Sequence, residues 1–516
     1  MDINERLEDL KKRKAEGTLG GGARRIEGQR QRGKLTARDR IRLLVDSNSF
    51  EEFDSLVLHQ ASDFGVDKQR FLGDAVVTGF ARVEGRPVYV FSQDFTVVGG
   101  SVSEAAAQKI CKIMDLAMKT GVPIIGINDG GGARIQEGVA SLGGYGEIFR
   151  RNAQASGVIP QISVIMGPTA GGAVYSPAMT DFIFMLESTS FMYITGPDVV
   201  KSVTAEDVDD HELGGARIHA TLSGVAHFSI DDEEECLNEV KRLMSFLPLN
   251  NMDDAPLVET GDSPGRREED LLTVLPENPS RAYDVRDVIW RVVDNGDFME
   301  VHEQYAQNIV VGFARMGGRS VGVVANQPLF LAGTLDINAS TKAARFVRFC
   351  DCFNLPIVTF VDVSGYLPGT AQEYAGIIAH GAKLVFAYAE ATVPKVTCIL
   401  RKAYGGAYVA MGSKHLGGDV NFSWPTGAIA VTGPDAAAPI IFRAQIERAE
   451  DQAAERARLV QEYEARFANP YISASRGFID DVIDPRDTRP KIVRALEMLQ
   501  NKAERLPPKK HGNIPL

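Results

Sequence analysis

GFARVEGRPV at residues 79–88 and GFARMGGRSV at residues 312–321 are near copies of each other, and this repeat decides the fold. The two stretches begin 233 residues apart, at 79 and 312, and further matches keep nearly the same spacing. These are Pro123-Ile124 with Pro356-Ile357, Asp129 with Asp362, ISVIMGPTAGGAVY from Ile162 with VTCILRKAYGGAYV from Val396, and Gly196-Pro197-Asp198 with Gly433-Pro434-Asp435. Ordered matches at an almost constant offset indicate an internal duplication, so we predict two copies of one domain.

Within each copy, short apolar runs alternate with helical patterns. Runs such as PVYVF, PIIGIND and ISVIMG predict buried strands, whereas SVSEAAAQKICKIMDLAMKT predicts a helix with Ser101 or Ser103 as its N-cap. This alternation predicts α/β domains with largely parallel sheets. Residues 251–285, rich in Pro, Asp, Asn and Glu, predict a linker. We therefore expect an N-terminal domain over residues 1–250, which includes a charged helical extension where Thr36 caps a helix, and a C-terminal domain over residues 286–516.

The composition excludes several classes of protein. The 516 residues carry a formal net charge of −12, and this acidity argues against nucleic acid as a partner. The five cysteines are scattered and odd in number, which indicates a reducing compartment, and we expect a cytoplasmic protein. No second ligand pair lies near Cys350 and Cys352, so we expect no metal site. Residues 152–180 are uncharged, but prolines and glycines interrupt them, which favours buried strand and loop over a membrane span.

Three glycine clusters follow predicted strands: DGGGAR at residues 129–134, TAGGAV at residues 169–174 and YGGAYV at residues 404–409. A strand that ends in Gly-Gly and turns into a helix leaves backbone N–H groups pointing outward, and an oxygen can approach them closely because no Cβ intervenes. None of the clusters fits a P-loop or a dinucleotide-binding fingerprint. A lone Gly-Gly pair is more simply a tight turn, but the repeat of this pair in both copies predicts two oxyanion holes.

Other catalytic machinery is sparse. There is no G-x-S-x-G or H-E-x-x-H motif, and the eight histidines are dispersed. Glu137 is the nearest candidate for a general base, with a surface or helix-capping carboxylate as the alternative. The tetrapeptide AMKT at residues 117–120 is similar to a biotinylation site, but it lies in a helical pattern, so we interpret Lys119 as an ordinary lysine.

Six longer motifs carry a resemblance to a known family. They are LGGGARRIEGQRQRGKLTARDRI, SQDFTVVGGSVSE, GGGARIQEGVASLGGYGEIF, GPTAGGAVYSPAMTDF, RKAYGGAYVAMGSKHLGGD and NPYISASRGFIDDVIDP. Over essentially its whole length the chain resembles the carboxyltransferase (β) subunits of biotin-dependent acyl-CoA carboxylases, most closely those of propionyl-CoA carboxylases. The resemblance implies two duplicated crotonase-like domains (the ββα superhelix of the ClpP/crotonase fold). It also implies an acyl-CoA site on the N-domain, a biotin site on the C-domain, and a homo-hexamer in which the N-domain of one subunit faces the C-domain of another.

The same resemblance implies a reaction. Carboxybiotin releases carbon dioxide, biotin N1′ removes the α-proton of a short-chain acyl-CoA, and the resulting enolate attacks the carbon dioxide. The protein then stabilises two oxyanions, the thioester enolate and the ureido oxygen of biotin. By resemblance, Gly171 and Gly172 form the hole for the thioester oxygen, and Gly406 and Ala407 form the hole for the ureido oxygen.

Further binding residues are implied by the resemblance. The expected substrate-binding residues are Gly131, Gly132, Ala133, Tyr145, Tyr408 and Val409, and the expected biotin-binding residues are Gly365 and Gly405. Many propionyl-CoA carboxylases have Asp at the position of Val409, which faces the acyl pocket in the family. An apolar side chain at this position favours bulkier or less polar acyl groups. The resemblance as a whole still implies propionyl-CoA as the substrate, with acetyl-CoA and butyryl-CoA left open. Basic residues either meet the CoA phosphates or form a solvated face: Arg24, Arg25, Arg30, Arg32 and Lys34.

The expected partner is an α subunit that carries biotin carboxylase and the biotin carrier, because the chain shows no ATP-binding module and no biotinyl lysine. A transcarboxylase or a methylmalonyl-CoA decarboxylase would use a chain of the same kind with a different partner. Two other classes stay open. One is a biotin-independent crotonase-type hydratase, isomerase or thioesterase, which would depend on Glu137, and the other is a catalytically silent assembly subunit.

Overall fold

The computed structural model describes residues 2–278 and 281–515. Met1, Pro279, Ser280 and Leu516, which the predicted domain and linker boundaries include, lie outside the described residues. The chain forms two compact units that divide between Asp253 and Asp254. Most of the predicted linker, residues 251–285, lies on the second unit's side of this division. Within it, Leu271 and Tyr283 are buried in the core of the second unit.

The first unit is built around an eight-stranded sheet. Its strands are β1 (Glu51–Phe53), β2 (Val76–Val83), β3 (Arg86–Gln93), β4 (Ile124–Gly130), β5 (Gln161–Ala170), β6 (Phe182–Leu186), β7 (Phe191–Tyr193) and β8 (Phe228–Ile230). Its helices are α1 (Ile3–Thr18), α2 (Ala23–Arg30), α3 (Ala37–Leu44), α4 (Glu104–Thr120), α5 (Val139–Ala155), α6 (Tyr175–Met179), α7 (Pro197–Thr204), α8 (Asp210–Gly214), α9 (Ala216–Ile218) and α10 (Glu233–Phe246).

The second unit repeats this architecture. Its strands are β9 (Phe298–Val301), β10 (Ile309–Met316), β11 (Arg319–Asn326), β12 (Ile357–Val363), β13 (Lys395–Tyr404), β14 (Val420–Ser423), β15 (Ala428–Ala430) and β16 (Asp481–Val482). Its helices are α11 (Arg286–Val292), α12 (Ile337–Cys352), α13 (Thr370–Tyr374), α14 (Ile377–Glu390), α15 (Gly405–Ala410), α16 (Pro434–Ile441), α17 (Arg443–Arg448), α18 (Gln452–Phe467), α19 (Pro470–Ser475) and α20 (Thr488–Met498).

The two sheets have the same topology. The order of the first sheet is β1-β2-β3-β4-β5-β6-β8 with β7 beside β5, and that of the second is β9-β10-β11-β12-β13-β14-β16 with β15 beside β13. In each sheet the first two pairings are antiparallel and the others are parallel. The predicted duplication of an α/β domain with a largely parallel sheet is therefore confirmed.

The repeated ten-residue stretches form equivalent β-hairpins. The hairpin β2–β3 pairs Gly79 with Val90, and β10–β11 pairs Gly312 with Val323. Both turn residues of each hairpin, at 84–85 and 317–318, have positive φ. Such turns match the right-handed twist of the strands that they join. The repeat is thus the antiparallel start of each sheet, and the parallel strands that carry the glycine clusters follow it.

Local sequence fixes the helices near these clusters. The hydroxyl of Thr36 accepts a hydrogen bond from the N–H of Asp39 and caps α3, as predicted. Of the two predicted caps for α4, Ser103 is the one used, and it accepts from the N–H of Ala106. Gly121, in the left-handed conformation, ends α4. Both cap predictions therefore place α3 and α4 correctly along the chain.

Candidate active site

The two Gly-Gly turns follow equivalent strands, β5 and β13. Gly171 and Gly405 have φ of +64° and +62°, a left-handed conformation that favours glycine. Gly172 and Gly406 are exposed, and a Cβ added to either would have no heavy atom within 4 Å. The first glycine of each pair is thus required by the turn, whereas neither packing nor a positive φ requires the second. Each turn leaves open space in front of its backbone.

The segments after these glycines present backbone donors to that space. A 3₁₀ turn begins at Gly171, and α15 begins at Gly405. The first N–H groups of a helical turn have no partner within it and carry partial positive charge. Ala407, which follows Gly406, is fully buried. In chemical terms each turn is suited to accept an oxyanion.

A second loop lies beside the first turn. The carbonyl of Gly132 accepts from the N–H of Val102 at 2.9 Å, and in the other unit that of Gly365 accepts from the N–H of Leu335 at 3.0 Å. Gly365 is therefore the structural counterpart of Gly132. A Cβ on Gly132 would lie 2.7 Å from the carbonyl oxygen of Ala170, which directly precedes the first Gly-Gly turn. The structure thus brings the DGGGAR loop and that turn together.

Buried ion pairs hold the DGGGAR loop in place. The fully buried guanidinium of Arg134 donates to Asp74 at 2.8 Å and to the carbonyl of Ser101 at 2.9 Å, and it also contacts Glu137 at 3.4 Å. The carboxylate of Glu137 accepts from the N–H of Glu104, the first residue of α4, at 2.9 Å. Glu137 therefore has the helix-capping role that the sequence left as the alternative to a general base.

The tyrosines and Val409 have different surroundings. Tyr145 is buried in the same hydrophobic cluster as Ala173, the residue after Gly172, and burial raises the pKa of its phenol. Tyr408 and Val409 are half-buried on α15, directly after Ala407. The structure therefore brings Tyr408 and Val409 to the second turn and places Tyr145 in the core beside the first.

A cavity of about 590 Å³ in the first unit takes in part of the basic N-terminal segment. Arg25, Arg32 and Lys34 line it, together with Pro168 near the end of β5. Lys34 is buried, its ammonium group lies 2.7 Å from the carboxylate of Asp129, and burial lowers its pKa. The charges of Arg25 and Arg32 therefore remain for an anionic ligand, whereas that of Lys34 is already paired.

The other two basic residues of this segment are not among those that line the cavity. Arg24 is exposed, and the guanidinium of Arg30 lies 3.5 Å from the carboxylate of Asp39. The sequence could not separate the five basic residues, because their spacing shows neither the cavity nor the ion pairs.

Sequence reasoning missed a buried carboxylate in each unit. Asp129 accepts from Lys34 and from Arg40, each at 2.7 Å, and Asp362 accepts from Arg401 at 2.9 Å. Burial raises the pKa of Asp362 in spite of the nearby guanidinium of Arg401. Burial opposes the charge of Arg40 as well, but its carboxylate partners outweigh burial and raise its pKa. The repeat of Asp129 as Asp362 was the signal that could have found these groups.

Three further findings concern metal-ligating side chains, cysteines and helix length. Among the described residues, no three His, Cys, Asp or Glu side chains are grouped so that they could hold a metal ion. All five cysteines are free thiols. No helix within residues 2–278 and 281–515 combines the length and the apolar character needed to cross a membrane.

Comparison with known proteins gives a family. The model of the carboxyl transferase domain matches residues 28–514. The chain is 56% identical to the propionyl-CoA carboxylase carboxyltransferase subunit of Haloferax mediterranei, with 100% of each chain covered. It is 59% identical to the mitochondrial propionyl-CoA carboxylase β chain of Sus scrofa, and the alignment covers 100% of this chain and 94% of the Sus scrofa chain. It is also 56% identical to the methylmalonyl-CoA decarboxylase subunit alpha of Veillonella parvula, with coverage of 100% and 99%.

A solved structure gives the same result for the fold. The transcarboxylase 12S structure, described as a hexamer assembly with methylmalonyl-coenzyme A and methylmalonic acid bound, is similar with a TM-score of 0.98. The identity is 51%, and the comparison covers 100% of this chain and 99% of that one. The predicted fold class, two duplicated crotonase-like α/β domains, is confirmed, and so is the resemblance to carboxyltransferase subunits of acyl-CoA carboxylases. The chain belongs to the carboxyl transferase domain family.

Proposed function

We propose that the chain is a carboxyltransferase subunit that moves the carboxyl group of carboxybiotin to the α-carbon of propionyl-CoA. The observation that carries this proposal is the duplicated Gly-Gly turn, with the same left-handed first glycine and the same open second glycine in each unit. Carboxyl transfer puts negative charge on two oxygens, one on each reactant. A chain with two equivalent backbone turns is suited to stabilise both.

Each turn has a proposed role. Gly171 and Gly172 bind the thioester oxygen as the enolate forms, and Gly406 and Ala407 bind the ureido oxygen. Backbone donors that are oriented in advance toward developing charge contribute about 3 kcal/mol each to the stability of the transition state. The exposure of Gly172 and Gly406 supports these roles, because a ligand oxygen can reach the N–H groups without displacing a side chain.

The second turn also fits biotin, which a partner would carry. When bound there, carboxybiotin supplies carbon dioxide and the base that removes the α-proton. We propose that Gly365, Gly405 and Tyr408 hold and orient the ureido group. The left-handed conformation of Gly405 and the position of Tyr408 on α15, three residues later, support these roles. No charged side chain of the chain is needed for the proton transfer, which agrees with the capping role of Glu137.

The substrate assignment rests on the acyl side. Val409 is half-buried and apolar, which supports a short acyl chain without charge. The pantetheine arm is proposed to lie along Gly131, Gly132 and Ala133, and the CoA phosphates near Arg25 and Arg32, which line the same cavity as Pro168. The relatives named above act on propionyl-CoA or methylmalonyl-CoA by their names, and this supports propionyl-CoA ahead of acetyl-CoA or butyryl-CoA.

The proposed assembly is a homo-hexamer that works with a biotin-carrying α subunit. Exposed apolar side chains in each unit support burial against other subunits: Ile135 and Val139 in the first unit, and Tyr374 and Ile378 in the second, each at least 79% exposed. The hexamer described for transcarboxylase 12S supports the same assembly. A cytoplasmic location stays a prediction that rests on the cysteine pattern.

Methylmalonyl-CoA decarboxylase is the second candidate function. The Veillonella relative is as identical to this chain as the Haloferax one, at 56% each. The decarboxylase reaction would use the same two turns with the carboxyl group moving from the acyl-CoA to biotin. Purification of the assembled complex distinguishes the two, because only a carboxylase consumes ATP in the presence of propionyl-CoA and bicarbonate.

The reverse reaction on the isolated chain tests the proposal. The chain is mixed with methylmalonyl-CoA or malonyl-CoA and free biotin, and the decarboxylated acyl-CoA is measured. We expect loss of the carboxyl group only when biotin is present, and faster turnover of methylmalonyl-CoA. Turnover that does not depend on biotin would instead identify a crotonase-type enzyme. Acyl-CoA binding without any turnover would point to a missing partner, and the absence of both binding and turnover would identify an assembly subunit.

A further inference from the structure

Asp129 and Asp362 occupy equivalent positions at the ends of β4 and β12, but their carboxylates bind different parts of the chain. Both are fully buried, and each donates its backbone N–H to a side-chain amide oxygen, that of Gln93 in the first unit and that of Asn326 in the second. The backbone setting of the two residues is thus the same. The difference lies in what each carboxylate holds.

In the second unit the carboxylate of Asp362 binds the strand that leads into the Gly-Gly turn. It accepts from the side chain of Arg401 at 2.9 Å and from the backbone N–H of Lys402 at 3.2 Å, and both residues belong to β13. Lys402 is three residues before Gly405. The guanidinium of Arg401 also lies over the ring of Tyr283, 5.1 Å from its centre. Asp362 therefore connects β12 to β13 directly below the second turn.

In the first unit neither contact can form. The residues of β5 that match Arg401 and Lys402, at an offset of 234, are Gly167 and Pro168. Glycine has no side chain to offer, and proline has no N–H. The carboxylate of Asp129 must therefore find its donors elsewhere.

Asp129 finds its donors in the N-terminal segment. Lys34 binds one oxygen of the carboxylate and Arg40 binds the other, each at 2.7 Å. Arg40 is itself held by two bonds to Glu233, at 2.6 and 2.7 Å, and all of these side chains are buried. Lys34 lies in the loop that follows α2, and α2 carries Arg25 of the cavity. Asp129 therefore connects the sheet to the N-terminal segment whose basic residues line the cavity. It does not connect β4 to β5 as Asp362 connects β12 to β13.

We propose that Asp362 is a positioning residue for the second Gly-Gly turn, and that Asp129 is a positioning residue for the N-terminal segment that binds the acyl-CoA phosphates. Equivalent carboxylates thus serve different sides of the reaction: Asp362 serves the biotin side and Asp129 serves the CoA side. Lys34 acts through Asp129 and not as a direct phosphate ligand. This inference rests on the proposed function, because it assigns the two sides of the reaction to the two units.

Two substitutions test the proposal, and each removes the carboxylate charge while leaving the shape of the side chain nearly unchanged. For Asp129→Asn we expect the Kd of methylmalonyl-CoA, measured by calorimetry, to rise about tenfold or more, with the KM for free biotin unchanged. The reason is that the broken buried pair no longer holds the segment that carries Arg25 and Arg32 in place. For Asp362→Asn we expect the reverse: an unchanged Kd for methylmalonyl-CoA and a fall of about tenfold or more in kcat/KM for biotin. Effects of equal size on both quantities in both variants would overturn the assignment.

The role of Lys34 has its own test. If Lys34 acts only through Asp129, the double variant Lys34→Met/Asp129→Asn has the same Kd for methylmalonyl-CoA as the weaker of the two single variants, because coupled residues are not additive. If Lys34 binds a phosphate directly, the two losses multiply and the salt dependence of binding falls in the Lys34→Met variant alone. That result would overturn the proposal that Lys34 acts only through Asp129. As a control, Asp54→Asn removes a partly exposed pair with Lys112 and is expected to leave both quantities unchanged.

Hydrogen exchange tests the positioning without any turnover. Asp129→Asn is expected to speed amide exchange in peptides over residues 23–36 but not over residues 171–179, whereas Asp362→Asn is expected to speed exchange over residues 403–411. Faster exchange over residues 171–179 in Asp129→Asn, or no change over residues 403–411 in Asp362→Asn, would overturn the proposal. If wild-type chain shows no biotin-dependent turnover, the proposed function fails, while the exchange pattern still decides the positioning roles.

Discussion

A Cβ atom on Gly167 would lie 1.8 Å from Oδ1 of Asp129, far inside van der Waals contact. The carboxylate of Asp129 therefore fills the place where a side chain at position 167 would begin. In the other copy the matching residue is Arg401, and its guanidinium is the partner of the matching carboxylate. One residue of β5 and one of β13 thus decide whether the cation comes from the strand itself or from the N-terminal segment.

Gly167→Ala is expected to lower the free energy of unfolding by about 1–3 kcal/mol, the usual cost of an overpacked core, because the methyl group displaces a carboxylate that two cations hold. Chemical denaturation at fixed protein concentration measures the change. Gly146→Ala is the matched control, since Gly146 lies in α5 with open space around its Cβ position. That variant is expected to gain about 0.5–1 kcal/mol. Equal stability of Gly167→Ala and wild type would contradict the account of Asp129.

Most of the fold follows from the repeat. The offset of 233 residues between Gly79 and Gly312 predicted two copies, and β2–β3 and β10–β11 occupy those positions. The two Gly-Gly pairs could also be predicted as candidate sites, because the same pair follows equivalent strands in both copies.

Three features of the structure could not be predicted from the sequence. Lys34 and Arg40 meet Asp129 across about 90 residues of sequence, and no local pattern records such a pair.

The second feature is the burial of part of the predicted linker. Leu271 begins the short apolar run LLTVL at residues 271–275, and Tyr283 is a single aromatic residue near the end of a segment of largely polar composition. Neither shows strand alternation, so the pattern favours a linker, although both residues enter a core. The third is the half-buried state of Val409, which depends on how α15 packs after the turn. In each case the missing information is tertiary contact rather than local propensity.

Val409→Asp is expected to narrow the acyl preference. A carboxylate at this half-buried position disfavours longer apolar chains, and one methylene in an apolar pocket is worth about 1–3 kcal/mol. The assembled enzyme should therefore lose about tenfold or more in the ratio of kcat/KM for butyryl-CoA over propionyl-CoA. Val409→Thr, similar in shape but uncharged, is the control and should keep most of the wild-type ratio. An unchanged ratio in Val409→Asp would remove Val409 from the acyl pocket.

A buried lysine on α4 predicts a pH dependence of stability. The ammonium of Lys109 donates to the carbonyls of Gly73 and Val76, and burial lowers its pKa from 10.5 to about 8. Between these two values the unfolded chain binds more protons at this residue than the folded chain does, so the free energy of unfolding gains from Lys109 as the pH rises from about 8 to 10.5.

Denaturant unfolding at pH 8, 9 and 10 measures this contribution. The slope of the free energy of unfolding against pH is expected to be less positive in Lys109→Met than in wild type. Lys112→Met, which changes an exposed lysine of the same helix, should keep the wild-type slope. Parallel slopes for wild type and Lys109→Met would show that Lys109 titrates alike in the folded and unfolded chains.

The account assigns the thioester oxygen to the first Gly-Gly turn and the ureido oxygen of biotin to the second. The variants Gly172→Val and Gly406→Val test this assignment most directly. Both positions are exposed with open space at the Cβ position, so the variants are expected to fold and to fill only the space in front of the backbone donors. The measurement is biotin-dependent decarboxylation of methylmalonyl-CoA, together with calorimetric binding of methylmalonyl-CoA and of biotin to each variant. We expect turnover to fall by at least about 100-fold in both, as for loss of an oxyanion-hole donor. Gly172→Val should weaken only the binding of methylmalonyl-CoA, and Gly406→Val only that of biotin. Near-normal turnover in either variant would contradict the account.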